Sequence, residues 1–119
     1  MYSNDDIMNF VNLVAEITDP DKVILFGSYA YGNPSDKSDL DLLVIKNGKE
    51  LSIDDETKFD LALFNEKRRR KIKMRYDIFY GTDKQVREIA ENGGSFIDAL
   101  QKGRIIYERS NTEKRRTVL

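Results

Sequence analysis

Apolar positions along the chain change period several times, and each change marks an element. Over residues 3–17 they recur at Ile7, Phe10, Val11, Val14 and Ile17, the spacing of one helix face, with Ser3 and Asp6 placed to cap its start. Asp19-Pro20-Asp21 ends that helix. Residues 22–26 are too short and too uniformly apolar for anything but a buried strand, which Gly27-Ser28 terminates. Tyr29-Ala30-Tyr31 reads as a short helical turn and residues 32–38 as an exposed loop punctuated by Gly32, Asn33 and Pro34.

A second strand is predicted over 39–45 and a turn at Asn47-Gly48. Ser52 with Asp55 caps a helix whose apolar positions include Phe59, Ala62 and Leu63 and which runs into the basic stretch 67–71. Ile72, Met74, Tyr76, Ile78 and Tyr80 then alternate with Lys73, Arg75, Asp77 and Phe79, predicting a third strand over 72–80. Thr82 and Gln85 cap a short helix through Ala90, stopped by Asn92-Gly93-Gly94. Residues 95–101 restart as a helix with Phe96, Ile97 and Leu100 turned inward, and 104–107 form a last short strand after Gly103. This order predicts an α/β (α+β) fold with helices packed on a mixed β-sheet, in one domain over 1–108. Residues 109–119 have little to bury and read as a polar flexible tail, with Arg109, Arg115 and Arg116 solubilising.

Composition narrows the chemistry. The 119 residues suffice for one modest core, and an acceptor would need a partner's surface. A net charge of -1 argues against stable duplex nucleic-acid binding. With no cysteine and no histidine, disulfides and thiolate chemistry are excluded, and any metal must accept oxygen ligands. No apolar run approaches the ~20 residues that span a bilayer, and the amino terminus is acidic, so a soluble cytoplasmic protein is expected.

Within that frame, Gly27-Ser28 and Asp39-Leu40-Asp41 stand out. Alternate residues of a strand share a face, so Asp39 and Asp41 point together, about 6.5 Å apart at Cα, while Leu40, Leu42 and Val44 face a core. Two such carboxylates suit a pair of hard cations, Mg2+ best, that clamp both oxygens of an in-line phosphoryl displacement. Gly27 permits a sharp turn and a close approach of backbone to ligand, and Ser28 adds a hydroxyl to amides cradling a polyphosphate. Asp77, on the polar face of the third strand, is the natural third carboxylate, as metal ligand or as base.

Each of these has a plainer reading. An isolated Asp-x-Asp is more often a solvent-facing strand edge, and a lone Gly-Ser is more often just a turn; their weight comes from standing together. The 67–71 cations could bind nucleic acid or an acidic acceptor, and more plainly form a solvated helix end at the negative pole of the helix dipole. Tyr29 and Tyr31 fit base stacking and half-buried packing equally.

Gly27-Ser28, the loop after it, Asp39-Leu40-Asp41, Asp77 in an apolar strand, Gly93-Gly94-Ser95-Phe96 and the terminal run 102–108 together resemble the minimal nucleotidyltransferases of the DNA polymerase beta-like superfamily, over nearly the whole chain. The resemblance implies transfer of a nucleoside monophosphate from a nucleoside triphosphate such as ATP to a hydroxyl. Small members are similar to antitoxins paired with HEPN-domain toxins, which implies a toxin tyrosine as acceptor and the toxin as protein partner. One departure is Tyr31, where many relatives carry arginine; Lys37 or a partner is then left to supply the cation. The rival expectation is a nucleotide-binding protein with a degenerate site that neutralises its partner by binding alone. Transfer to a small drug such as an aminoglycoside ranks third, since such enzymes use additional sequence to hold the sugar.

Overall fold

The computed structural model describes residues 1–93 and 97–109. Helix α1 (Asn4–Thr18) starts at Ser3, whose side chain accepts from the Asp6 amide while the Asp6 carboxylate accepts from the Ser3 amide. Strand β1 (Lys22–Phe26) leads through Gly27 into the single turn α2 (Ser28–Tyr31), and β2 (Leu40–Ile45) follows the loop. Helix α3 (Ile53–Arg69) carries a second reciprocal cap from Ser52 and Asp55. Next come β3 (Tyr76–Gly81), α4 (Asp83–Glu91) capped by Thr82 and Gln85, α5 (Ile97–Lys102) and β4 (Arg104–Glu108).

The sheet order is β3-β2-β1-β4. β1 pairs antiparallel with both β2 and β4, and β2 pairs parallel with β3. A parallel pair needs a long crossover, and α3 supplies it. Leu40, Leu42 and Val44 enter one core with Phe10, Val11 and Val14 of α1 and Leu63 of α3. The opposite face is also apolar: Leu43 and Ile45 pack with Ile24, Val86 and Ala99 beneath α4 and α5. β2 is therefore buried on both sides except at its second residue, where Asp41 replaces an apolar side chain.

The structure corrects several boundaries. β3 begins at Tyr76, not Ile72. Lys71 takes a left-handed backbone (φ 57°), and the Ile72 amide still bonds back to Lys67 O at 2.9 Å. β2 starts at Leu40, whose amide donates to Arg75 O at 3.0 Å, so residues 72–75 have no strand alongside to pair with. Their alternation reflects burial alone, with Met74 plugging the core. Asp39 likewise lies just before β2. Ile97 is exposed, and among the described side chains of α5 Ala99 packs inward. Phe96, the Leu100 side chain, Gly94-Ser95 and residues 110–119 lie outside the described part. Arg109 is no solubilising tail residue: its amide donates to Asp21 O at 2.9 Å and its Nη2 pairs with Asp19 Oδ1 at 2.6 Å.

Because Leu42 is sealed between α1 and the sheet whereas Leu61 faces solvent, Leu42→Ala is expected to cost about 2–5 kcal/mol in denaturant unfolding. Leu61→Ala is expected to stay within about 0.5 kcal/mol.

Candidate active site

Three strands bring their ends to one edge of the sheet. The register sets Phe26 of β1 opposite Asp41 of β2 and Asp41 opposite Asp77 of β3, a single row across the sheet. All three belong to the face that carries Leu43 and Ile45, since Leu25, Leu42, Tyr76 and Ile78 face the α1 side. One row further in, Phe79 lies opposite Leu43. The Phe26 and Phe79 rings meet at 5.9 Å between centroids, tilted 49°, forming an apolar wall beside the carboxylates.

Asp41 is the most constrained of the acids. Burial pushes its carboxyl above the usual range, and the charges of Asp77 and Asp39 add to that. Gly27 is what lets it fit: a Cβ at that position would overlap Asp41 Oδ2 and come within 3.0 Å of Asp41 Cγ. Gly27 also holds φ 73°, which L side chains disfavour, so position 27 requires glycine twice over. The close approach anticipated for a ligand is thus already made by Asp41. After Gly27 the chain coils at once, with the Ala30 and Tyr31 amides both donating to Gly27 O at 3.0 and 3.1 Å.

Asp39 is turned toward a cation that sequence reasoning overlooked. Arg75 Nε lies 3.3 Å from Asp39 Oδ1, and Arg75 Nη2 donates to Asp36 O at 3.1 Å. Both side chains are about half exposed, so this pair is a weak restraint. Among the described residues no three acids stand close enough to enclose one ion as they are. Gathering Asp39 with Asp41 and Asp77 requires Asp39 to leave Arg75. The donor set itself, carboxylates only with Asp41 short of compensating charge, fits a hard divalent cation.

The aromatic residues of α2 resolve toward packing. Tyr29 stacks on Tyr2 at 5.7 Å, and its hydroxyl accepts from the Tyr2 amide at 3.2 Å. The Tyr31 hydroxyl is buried with no hydrogen-bond partner among the described residues, and Lys102 Nζ sits 5.9 Å over the Tyr31 ring. Arg104 Nη2 approaches Tyr29 O at 3.5 Å. Two cations from the α5–β4 junction therefore contact α2, the helical turn that Ser28 opens, whereas Lys37 lies in the exposed loop. The periodicity held no sign of Lys102, Arg104 or Arg75, because each acts across strands far apart in the chain. The 67–71 cations are largely engaged: Lys67 lies over the Tyr76 ring, and Arg69 and Arg70 pair with Glu66.

A fold of this topology with acids at this edge is that of a nucleotidyltransferase domain. The chain belongs to the polymerase beta nucleotidyltransferase family, whose model matches residues 9–112. No curated protein matches it in sequence. Among solved structures, it is similar to a chain from a toxin–antitoxin complex crystallised with AMP-PNP, at 16% identity and a TM-score of 0.54, covering 92% of this chain and 80% of that one. It is also similar to a candidate nucleotidyltransferase from Sulfolobus solfataricus, at 16% identity and a TM-score of 0.50, covering 92% and 93%. Both likenesses bear on the fold. No helix among the described residues is long and apolar enough to cross a membrane.

Two outcomes follow from the Gly27–Asp41 contact. Gly27→Ala is expected to lose about 1–3 kcal/mol in denaturant unfolding, from the left-handed backbone and the displaced carboxylate. Asp41→Asn is expected to raise the melting temperature at pH 7 by about 1–3 °C, small because water screens the repulsion. A carboxyl raised by folding contributes stability below its unfolded pKa, and that contribution is lost as pH rises through the folded one. The gain in Asp41→Asn should therefore vanish below about pH 4, which calorimetry against pH checks.

Proposed function

We propose that the protein is a Mg2+-dependent nucleotidyltransferase that moves a nucleoside monophosphate, from ATP by preference, to a protein hydroxyl, namely a tyrosine of a cognate HEPN-domain toxin. The observation that carries this reading is the single row joining Asp41 to Asp77 with Gly27 packed against it. Family membership supports the reaction class, and the neighbour seen in a toxin–antitoxin complex with AMP-PNP supports a nucleotide and a protein partner.

In this reading Asp39, Asp41 and Asp77 would hold Mg2+. The ion supplies charge neutralisation at the phosphates and at the attacking and leaving oxygens. Gly27 and Ser28 bind the triphosphate through backbone amides and the Ser28 hydroxyl, while Lys102 and Arg104, in contact with α2, supply the cations that Tyr31 does not. Asp39, now paired with Arg75, would turn from it to join the other two acids. Asp77, exposed at the row's end, takes the acceptor's proton. The acceptor oxygen bonds to the α-phosphorus as the bond to the bridging oxygen breaks, and pyrophosphate leaves. The Phe26–Phe79 pair lines one side of the row with apolar surface.

A second reading, neutralisation by binding alone, draws on the Asp39–Arg75 pair and on the lack of an enclosed three-acid group among the described residues. Incubation with Mg2+, labelled ATP and the protein encoded by the adjacent gene separates the two. Label transfer is expected in the wild type and a loss of about 100-fold or more in Asp41→Asn and Asp77→Asn. Unlabelled complex in every case favours binding alone. Chelation should abolish transfer without dissolving the fold, as read by circular dichroism.

A further inference from the structure

The outward side of α3 is apolar where a solvated helix is normally polar. Ile53, Leu61 and Phe64 are 83%, 59% and 54% exposed, while the inward side fully buries only Leu63. At 100° per residue the three fall within about 80° of one another, on one stripe. Asp54, Leu61 and Arg68 are spaced by seven, with Thr57 and Phe64 at the intervening positions, the spacing of a helix-pairing seam.

Charge along this seam is polarised. α3 opens with Asp54, Asp55 and Glu56 and closes with Lys67, Arg68 and Arg69. Lys67, Arg69 and Arg70 have partners on their own chain. Asp54 and Arg68 are exposed and make no ion pair among the described residues.

We propose that this face joins a second copy of the chain, α3 against α3, antiparallel about a two-fold axis near Leu61. The argument for a second copy is self-complementarity. Antiparallel pairing about Leu61 lays Leu61 on its counterpart, sets Phe64 over the other copy's Thr57, and places each acidic first turn against the partner's basic last turn. Parallel pairing would oppose like charges. The seam from Asp54 to Arg68 is only about 21 Å long, so the dimer is small and reversible. α3 packs on the sheet face opposite Asp41 and Asp77, which leaves both carboxylate rows open.

Sedimentation velocity on the full chain, from about 1 µM to about 1 mM and without nucleotide, tests this independently of the proposed activity. A monomer–dimer equilibrium within that range is expected, weakened at high salt. Leu61→Glu and Arg68→Glu should each weaken it about tenfold or more, with melting curves like the wild type's to show that folding is intact. Asp54→Lys combined with Arg68→Glu reverses both ends of the seam and should restore association. A monomer throughout, a dimer indifferent to these substitutions, a double variant that does not recover, or protection of α3 only by a different protein would each overturn the proposal.

Discussion

Everything at the site depends on the register of β2. It is the one strand with a neighbour on each side that contributes to the carboxylate edge, and side chains alternate faces along it. A slip of one residue against β1 would send Asp41 into the core of α1 and α3 and turn Leu42 to the face that carries Asp77. That slip is blocked by burial on both faces, since Leu40, Leu42 and Val44 fill one core and Leu43 and Ile45 the other. The apolar face thus holds the polar row in place, at a cost that falls on Asp41.

That cost is local and electrostatic. Asp41 gives up part of its hydration and stands beside Asp77 in the adjacent parallel strand, with Asp39 also within range. Among the described residues no ion pair involves Asp41, and Arg75 is paired with Asp39. In the function proposed above, a bound cation would supply the missing positive charge. Gly27 completes it by leaving room for the Asp41 carboxylate, so a turn residue and an acid 14 positions later form one unit.

Much of this was legible from local signals. Ser3 with Asp6, Ser52 with Asp55 and Thr82 with Gln85 all form the reciprocal caps their spacing predicts, because such bonds close within one turn. That Asp41 faces away from Leu40, Leu42 and Val44, and Asp77 away from Tyr76 and Ile78, was readable from alternation. What alternation cannot report is which strands become neighbours. The extended run 72–75 looks like strand but lacks a partner, Arg109 looks like tail but clamps Asp19, and Arg75, Lys102 and Arg104 gain meaning only from residues far away in the chain. Tyr29 and Tyr31, balanced between two uses in the sequence, are decided by Tyr2 and Lys102.

The parallel pairing of β2 with β3 also orders events in time. The two acids of the central row are separated by the whole of α3, so a chain synthesised only as far as that helix holds Gly27 and Asp41 in sequence but has no Asp77 to oppose them. The like charges meet only when β3 docks. Until then Asp41 faces only the charge of Asp39, and with β3 in place it faces that of Asp77 as well.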